Sequence, residues 1–317
     1  PLWSRGLGDV YKRQEGISRL TTSQIAGLNT DDIAVLATEQ VRALGAAGVA
    51  ALTPAQIRAL TSDAIIALST AQIRGLGVAG ATALGADQIE LLSTESLRSL
   101  SLNQISRLSS DGIALLSTEK IRALGAIAIT SLTASQLRAI SPDNISALTS
   151  AQGVALATAG ISALTTDQLQ ALRTDVISGL TTAQIGALSS VAIASLTSEQ
   201  VRSLGSRLVA ALSASQLQGM ETEDVAALTT QQIRALDVAG ASILSSSQVI
   251  ALGADNITAL SSGQLRALQT DAIAALTSDQ ILALSSTALS ALTTTQLSRL
   301  STDNVVLLTS DKLRALG

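Results

Sequence analysis

The sequence predicts an all-α solenoid built from very short, two-turn helices, and two observations support this fold class. An eight-residue unit, such as TTSQIAGL at residues 21–28, repeats 37 times over residues 21–316 without an insertion or deletion. Its last residue, position 8, is Leu in 35 units, and position 5 is Ile, Val or Leu in 34. A short period of this regularity is typical of solenoids, in which each repeat buries its apolar side chains against its neighbours.

Each octad, as we name the eight-residue unit, carries the signals of a helix start. Position 1 is mostly Ser, Thr, Asn, Asp or Gly, the preferred N-cap residues. Gln follows three residues later in alternate octads, which is the spacing of a capping box. Pro54 and Pro142 both occupy position 2, the first helical position, where proline is tolerated. We therefore expect a helix over positions 2 to 8 of each octad.

Position 4 shows a second period, of sixteen residues. From Gln24 onward it is Gln in every second octad, except at Lys120 and Lys312, and it is mostly small or polar in the octads between. Arg at position 6 follows the same alternation, with Arg98 as the exception. The pattern predicts a sixteen-residue coil of two helices, one with an outer surface of Gln and Arg and one with a smooth surface.

A β-solenoid is the alternative fold, because coils of similar size exist in that class. Its strands would need alternating apolar and polar residues, with β-branched or aromatic side chains. The apolar residues here stand at positions 5, 7 and 8, and Gln, Arg, Ala and Leu dominate the second half of each octad. These are strong helix formers, so the composition favours helices.

The first fourteen residues, PLWSRGLGDVYKRQ, do not follow the octad pattern. We interpret residues 1–14 as a non-native or disordered leader, since DVYKRQ resembles a translated adapter sequence that recurs in metagenomic assemblies. Residues 15–317 then form one array whose terminal octads are as regular as the internal ones. Solenoids usually end in polar capping repeats, so we expect self-association through the uncapped ends.

The composition argues against several classes of function. The chain has no His or Cys, so the usual zinc sites, thiol chemistry and His-based acid–base catalysis are unavailable. No apolar run approaches the ~20 residues that a membrane-spanning helix needs. A net charge of −4 disfavours binding to nucleic acid. We expect no enzymatic activity, cofactor, metal ion, nucleic-acid partner or membrane span.

The candidate interaction surface is a ladder of Gln and Arg side chains on one face, suited to an extended polymer such as a polysaccharide, or to a protein. The alternative is that these arginines are solvated and paired with neighbouring acids. The predicted ladder comprises Arg42, Arg58, Arg74, Arg122, Arg138, Arg202, Arg234, Arg266, Gln56, Gln72 and Gln136.

The unit T-T-x-Q-I-x-A-L resembles the octapeptide repeats of very large, repetitive bacterial proteins that are secreted or displayed at the cell surface. The resemblance covers residues 15–317. It implies a structural spacer rod, a stalk segment of an adhesin-like surface protein, located outside the cell. A binding module that uses the Gln/Arg ladder is the second hypothesis.

Overall fold

The computed structural model describes residues 16–316, which form short α-helices and contain no strand. The leader predicted for residues 1–14 lies outside this part of the chain. From Thr21 onward each octad contains one helix, so the helices are numbered α1 to α37 by octad.

The helix bounds are α1 Thr22–Ala26, α2 Thr30–Ala34, α3 Thr38–Ala43, α4 Gly45–Ala50, α5 Pro54–Ala59, α6 Ser62–Ala67, α7 Thr70–Gly75, α8 Gly77–Ala83, α9 Ala86–Leu91, α10 Thr94–Ser99, α11 Leu102–Ile105, α12 Ser110–Ala114, α13 Thr118–Ala123, α14 Ala126–Ile129, α15 Ala134–Ala139, α16 Pro142–Ser146, α17 Ser150–Ala155, α18 Thr158–Ile161, α19 Thr166–Ala171, α20 Thr174–Gly179, α21 Thr182–Gly186, α22 Ser190–Ala194, α23 Ser198–Ser203, α24 Ser206–Val209, α25 Ala214–Gly219, α26 Thr222–Ala227, α27 Thr230–Ala235, α28 Val238–Ser242, α29 Ser246–Ala251, α30 Gly253–Ile257, α31 Ser262–Ala267, α32 Thr270–Ala274, α33 Ser278–Ala283, α34 Ser286–Ser290, α35 Thr294–Leu297, α36 Thr302–Val306 and α37 Ser310–Arg314.

The helices begin where the sequence predicts. All but three begin at position 2, after an N-cap residue with extended backbone at position 1. In octad 5 the Gln56 N–H donates to Thr53 Oγ1 at 3.3 Å, and the Thr53 N–H donates to Gln56 Oε1 at 2.7 Å. This reciprocal pair is a complete capping box. Pro54 and Pro142 are the first residues of their helices, as expected.

The helices end earlier than predicted. They stop at position 5, 6 or 7 and contain four to seven residues, so the expected helix over positions 2 to 8 is too long. Position 8 is most often extended, as at Leu60, where φ is −62° and ψ is 128°. The extended residue turns the chain into the next N-cap. Its side chain points inward, and Leu60 is buried together with Ile57 at position 5.

The stacking of the helices corrects the predicted coil. The chain divides into two compact units, one ending at Leu156 and the other beginning at Ala157. Within each unit a helix packs against the third helix after it, as α4 does with α7 and α22 with α25. The predicted two-helix coil of sixteen residues is therefore wrong. One or two extended residues between helices turn the chain through a corner, so a coil needs about three octads to close.

The sixteen-residue period has a different origin. Because three is odd, within each unit the octads with Gln at position 4 stack on octads of the other kind, which we name intervening octads. Small residues at position 4 of the intervening octads allow close approach: a Cβ added at Gly48 would lie 3.1 Å from Ile25 Cδ1, and one at Gly80 would lie 3.2 Å from Ile57 Cδ1. Such distances are shorter than ordinary contacts between carbon atoms. The two kinds of octad therefore alternate along the chain and also along each column of stacked helices.

Three helices begin at position 1 instead, through a different turn. Gly45, Gly77 and Gly253 have φ values of +62°, +62° and +69°. The Leu before each of them stays in the helical region, so consecutive helices meet without an extended residue. A positive φ is accessible to glycine at little cost and is unfavourable for residues with a Cβ.

Serine substitutions at two glycines of the same octad position should have opposite effects. Gly205 has φ −65° and ψ 151°, with open space around its Cβ position, so Gly205→Ser adds an N-cap acceptor without strain. We expect it to raise the free energy of unfolding by about 0.5–1 kcal/mol. Gly77→Ser forces a Cβ into the positive-φ region and should lower it by about 1–2 kcal/mol. Urea denaturation followed by circular dichroism measures both, and equal effects would contradict the two turn geometries.

Candidate interaction surface

The predicted glutamines do not lie on the surface. Gln56, Gln72 and Gln136 are each at most 2% exposed, so the expectation of an outer Gln surface is wrong. The side chain at position 4 lies at the helix N-terminus, facing the neighbouring coil, and its amide satisfies backbone groups there. The predicted capping boxes are present, but a capping box uses only the amide oxygen of the glutamine side chain. The amide nitrogen needs a separate hydrogen-bond acceptor.

The amide nitrogens of the buried glutamines Gln56 and Gln136 reach the end of a helix four octads earlier. Gln56 Nε2 donates to the carbonyl oxygens of Ile25 at 2.8 Å and Leu28 at 2.7 Å. Gln136 Nε2 donates to Ile105 and Leu108 in the same way, both at 2.8 Å. Carbonyl groups in the last turn of a helix lack partners within that helix. Glutamine therefore joins the start of one helix to the end of another, a contact we name the glutamine clamp.

The arginines of the predicted ladder are exposed, as expected: Arg42, Arg58, Arg74, Arg122, Arg138, Arg202, Arg234 and Arg266. Four of them, together with Arg98, also donate through Nε to a position 7 carbonyl of the third octad onward. The bonds are Arg42 to Ala67 at 3.4 Å, Arg74 to Ser99 at 3.1 Å, Arg98 to Ala123 at 3.3 Å, Arg122 to Ala147 at 3.0 Å and Arg266 to Ala291 at 3.1 Å. A cation at a helix C-terminus also interacts favourably with the helix dipole.

Arginines sixteen residues apart do not form the predicted continuous ladder, because stacked helices are three octads apart. The structure instead places three arginines on successive stacked helices: Arg74 on α7, Arg98 on α10 and Arg122 on α13. Among the described residues, no carboxylate forms an ion pair with these three side chains. Arg98 stands in an intervening octad and is therefore not part of the predicted ladder. Its separation of three octads in sequence from both Arg74 and Arg122 is the signal that would have identified it.

A row of exposed apolar side chains runs beside these arginines. Val78, Leu102 and Ile127 are 42%, 42% and 73% exposed and lie at the starts of α8, α11 and α14. An open depression of about 500 Å³ is lined by Arg74, Val78 and Arg98 among others. A second depression of about 310 Å³ is lined by Arg98, Leu102 and Ile127. The two rows thus border one surface, which we name the Arg/apolar surface.

Position 4 also holds a buried carboxyl group that sequence reasoning missed. Asp224 is 5% exposed and stands where Asn144 and Asn256 donate through Nδ2 to a leucine carbonyl 28 residues earlier, each at 2.7 Å. Burial, with the nearby carboxylate of Glu221, raises the pKa of Asp224 to about 6. An ionised carboxylate has no hydrogen to donate, so Asp224 cannot make the bond to a leucine carbonyl that Asn144 and Asn256 make at this position.

Asp224→Asn should therefore stabilise the protein in a pH-dependent way. The pKa of Asp224 in the folded protein, about 6, lies above the ordinary value of 3.8, so the wild type loses stability as pH rises from about 4 to 6. The variant lacks this loss. We expect its free energy of unfolding to exceed that of the wild type by about 1–3 kcal/mol at pH 8, and the difference to disappear below pH 4. Thermal denaturation between pH 3.5 and 8 measures it. Asp255→Asn, an exposed control, should leave the slope unchanged, and a pH-independent gain at position 224 would refute the interpretation.

Neither a metal cluster nor a membrane-spanning helix is found among the described residues. None of their acidic side chains form a cluster of three that is able to hold a metal ion. None of the helices in residues 16–316 is long and apolar enough to cross a membrane. The site is thus a surface of cations, apolar side chains and shallow depressions.

Comparison with known proteins identifies the repeat. The ALTTAQ repeat model matches five segments of the chain, residues 25–62, 36–70, 177–214, 217–254 and 249–286. A search of the curated proteins finds no match. The matched segments fall in both compact units and share their octad register with the octads between them. The chain is therefore an octapeptide-repeat array that carries ALTTAQ repeats.

Proposed function

We propose that this chain is a structural spacer, a stalk segment of a repetitive bacterial protein that is secreted or displayed at the cell surface. The observation that carries the proposal is the uniformity of the construction. Each octad from Thr21 onward supplies one helix, and within each compact unit an octad stacks on the third octad onward. Length then depends on the number of octads and little else, which is the property a spacer requires.

The glutamine clamp supports this role, because it ties successive coils together through the backbone. Gln88 Nε2 donates to Ile57 and Leu60 carbonyl oxygens at 2.9 and 3.0 Å, and Gln248 makes the equivalent bonds to Leu217 and Met220 at 2.8 and 2.9 Å. Such bonds recur in both compact units and do not depend on which apolar residue fills the core. Within each unit they give successive coils the same kind of connection.

The test is whether added octads add length. The chain contains no Cys, so Ala210→Cys with Ser262→Cys allows clean spin labelling at two exposed positions of the second unit. Inserting a second copy of residues 213–260 after Leu260 adds six octads, or two coils. Stacked helices lie about 8–10 Å apart, so the distance between the labels, measured by pulsed electron–electron double resonance, should grow by about 16–20 Å.

The control for this experiment places the same insertion outside the labelled segment. A copy of residues 213–260 inserted after Leu308 should leave the distance between labels at 210 and 262 unchanged. If the insertion between the labels also leaves it unchanged, added octads loop out and the spacer proposal fails.

A binding module is the second candidate function. The observation in its favour is that all eight predicted arginines are exposed. The three predicted glutamines are buried and are removed from the candidate contact residues. Binding to an anionic partner should then weaken as salt rises, because screening shortens the range of charge–charge attraction.

A further inference from the structure

We propose that the Arg/apolar surface of the first unit is a docking site for an extended acidic polypeptide in the polyproline II conformation. The proposal narrows the binding function to one surface and one class of partner, and it is independent of the spacer role. It rests on the charge of the surface, on its apolar row and on the spacing of the stacked helices.

The charge of this surface is opposite to that of the chain as a whole. The six octads that form it, residues 69–84, 93–108 and 117–132, contain five basic residues and two acidic ones, in a protein of net charge −4. Arg74, Arg98 and Arg122 are anchored through Nε, and among the described residues nothing accepts a hydrogen bond from their Nη atoms. Each guanidinium therefore keeps the donor pair with which arginine binds carboxylates.

The apolar row identifies the class of partner. Val78, Leu102 and Ile127 lie on successive stacked helices, as the arginines do, and border the same depressions. An acidic polysaccharide has carboxylates for the arginines but no aliphatic side chains to cover this row. A polypeptide supplies both, with acidic side chains along one edge and apolar side chains along the other. Burial of this row against aliphatic side chains of the partner favours binding through the hydrophobic effect.

The spacing of the surface selects the conformation. Successive arginines lie on helices stacked about 8–10 Å apart. A polyproline II helix repeats every three residues, or about 9.3 Å, so its side chains at every third residue meet equivalent points on successive coils. A β-strand repeats on one side at about 6.6–6.8 Å. An α-helix has a pitch of about 5.4 Å. Neither of these repeats equals the distance between two stacked helices, whereas the polyproline II repeat does.

The test uses fluorescein-labelled (Glu-Pro-Leu)5 and the full chain, with binding followed by fluorescence anisotropy at low salt. We expect saturable binding with one peptide per chain. (Lys-Pro-Leu)5, which reverses the charge, and (Glu-Leu)7, which has a two-residue period, should each bind at least about tenfold more weakly. Equal affinity for the lysine peptide would overturn the charge argument, and equal affinity for (Glu-Leu)7 would overturn the conformation.

Variants of the chain locate the site. Arg98→Gln, Ile127→Ser and Leu102→Ser should each raise the Kd for (Glu-Pro-Leu)5 at least about fivefold, since they remove contacts at the centre of the surface. Arg234→Gln and Val191→Ser, exposed residues of the second unit, are matched controls and should leave it unchanged. Circular dichroism establishes that each variant keeps its helices.

The outcomes separate this proposal from its alternatives. Absence of saturable binding, or an unchanged Kd in Ile127→Ser and Leu102→Ser, overturns it. Polygalacturonate that displaces the peptide and binds both serine variants as tightly as wild type would assign the surface to a polysaccharide instead. None of these results affects the distance between spin labels in the second unit, so failure here is distinct from failure of the spacer role.

Discussion

Deleting one octad should destabilise the protein far more than deleting two. Removal of residues 85–92 brings octads of the same kind onto successive stacked helices, whereas removal of residues 85–100 restores the alternation. We expect the shorter deletion to lower the free energy of unfolding by at least about 3 kcal/mol relative to the longer one. The larger change to the sequence is thus the smaller change to the packing.

The effect follows from two contacts that depend on the alternation. In the shorter deletion Gln104 stacks on Ile73 in place of a small residue, in a layer where a Cβ added at Gly80 already lies 3.2 Å from Ile57 Cδ1. The carbonyl oxygens of Ile57 and Leu60 also lose Gln88, their donor. In the longer deletion Gln104 takes the place of Gln88. Overpacking and buried carbonyls without donors are both destabilising.

Urea denaturation of the two deletion variants and the wild type measures the difference. Removal of residues 213–220 compared with 213–228 repeats the comparison in the second unit. If the stability of the variants falls in proportion to the number of octads removed, the alternation has no role in packing.

Replacing a clamp glutamine should also have a large effect. Gln200 is 2% exposed, and its Nε2 donates to the carbonyls of Leu169, Gln170 and Leu172 at 2.9, 3.1 and 2.6 Å. Its Oε1 accepts the Thr197 N–H at 2.9 Å. Gln200→Leu leaves these groups without partners, and we expect a loss of about 2–4 kcal/mol. Gln170→Leu, exposed at position 6, is the matched control and should change stability by less than about 0.5 kcal/mol.

Gln200→Glu separates the two ends of the clamp. It keeps an acceptor for Thr197 but places a carboxylate against three carbonyl oxygens, which raises its pKa in the folded protein above the ordinary value for Glu. Its destabilisation should therefore be greatest at neutral pH and shrink as pH falls toward 4, where a protonated carboxyl donates again. A destabilisation independent of pH would show that the hydrogen bonds donated by the amide nitrogen do not account for the stabilisation by Gln200.

The local features of the fold follow from the sequence because they depend on residues within one octad. The caps, the first-turn prolines and the burial of positions 5 and 8 were all predicted correctly. Helix ends and coil size were not, because they depend on contacts between octads. The partner of the Gln amide nitrogen lies 28 or 31 residues earlier, a distance that no signal inside the octad specifies.

Two identical pentapeptides adopt different turns. ALGAD occurs at residues 83–87 and 251–255. Gly85 has φ −71° and its N–H donates to Gln88 Oε1 at 3.0 Å, whereas Gly253 has φ +69° and is followed by Asn256. Asn256 is one methylene shorter and donates to Leu228, so it forms no capping box. In this pair of segments, the negative φ accompanies the capping box of Gln88 and the positive φ accompanies its absence.

The Arg/apolar surface was only partly predictable for the same reason. The exposure of arginine at position 6 follows from its place on the helix. The grouping of Arg74 with Arg98 and Arg122 follows from the stacking interval, and so does the row of Val78, Leu102 and Ile127 beside it. A search of the sequence at intervals of three octads finds the three arginines and the pair Val78 and Leu102, whereas Ile127 lies one residue beyond that interval.

The alternation of the two kinds of octad also restricts how a gene for such an array can change in length. Repetitive coding sequence gains and loses copies when its repeats misalign during replication or recombination. A shift by one octad produces a protein with mismatched layers, whereas a shift by two produces one with every layer intact. Selection for folding would therefore retain duplications and deletions in pairs of octads. Such a gene would preserve the sixteen-residue periodicity, although a coil of the folded protein contains about three octads.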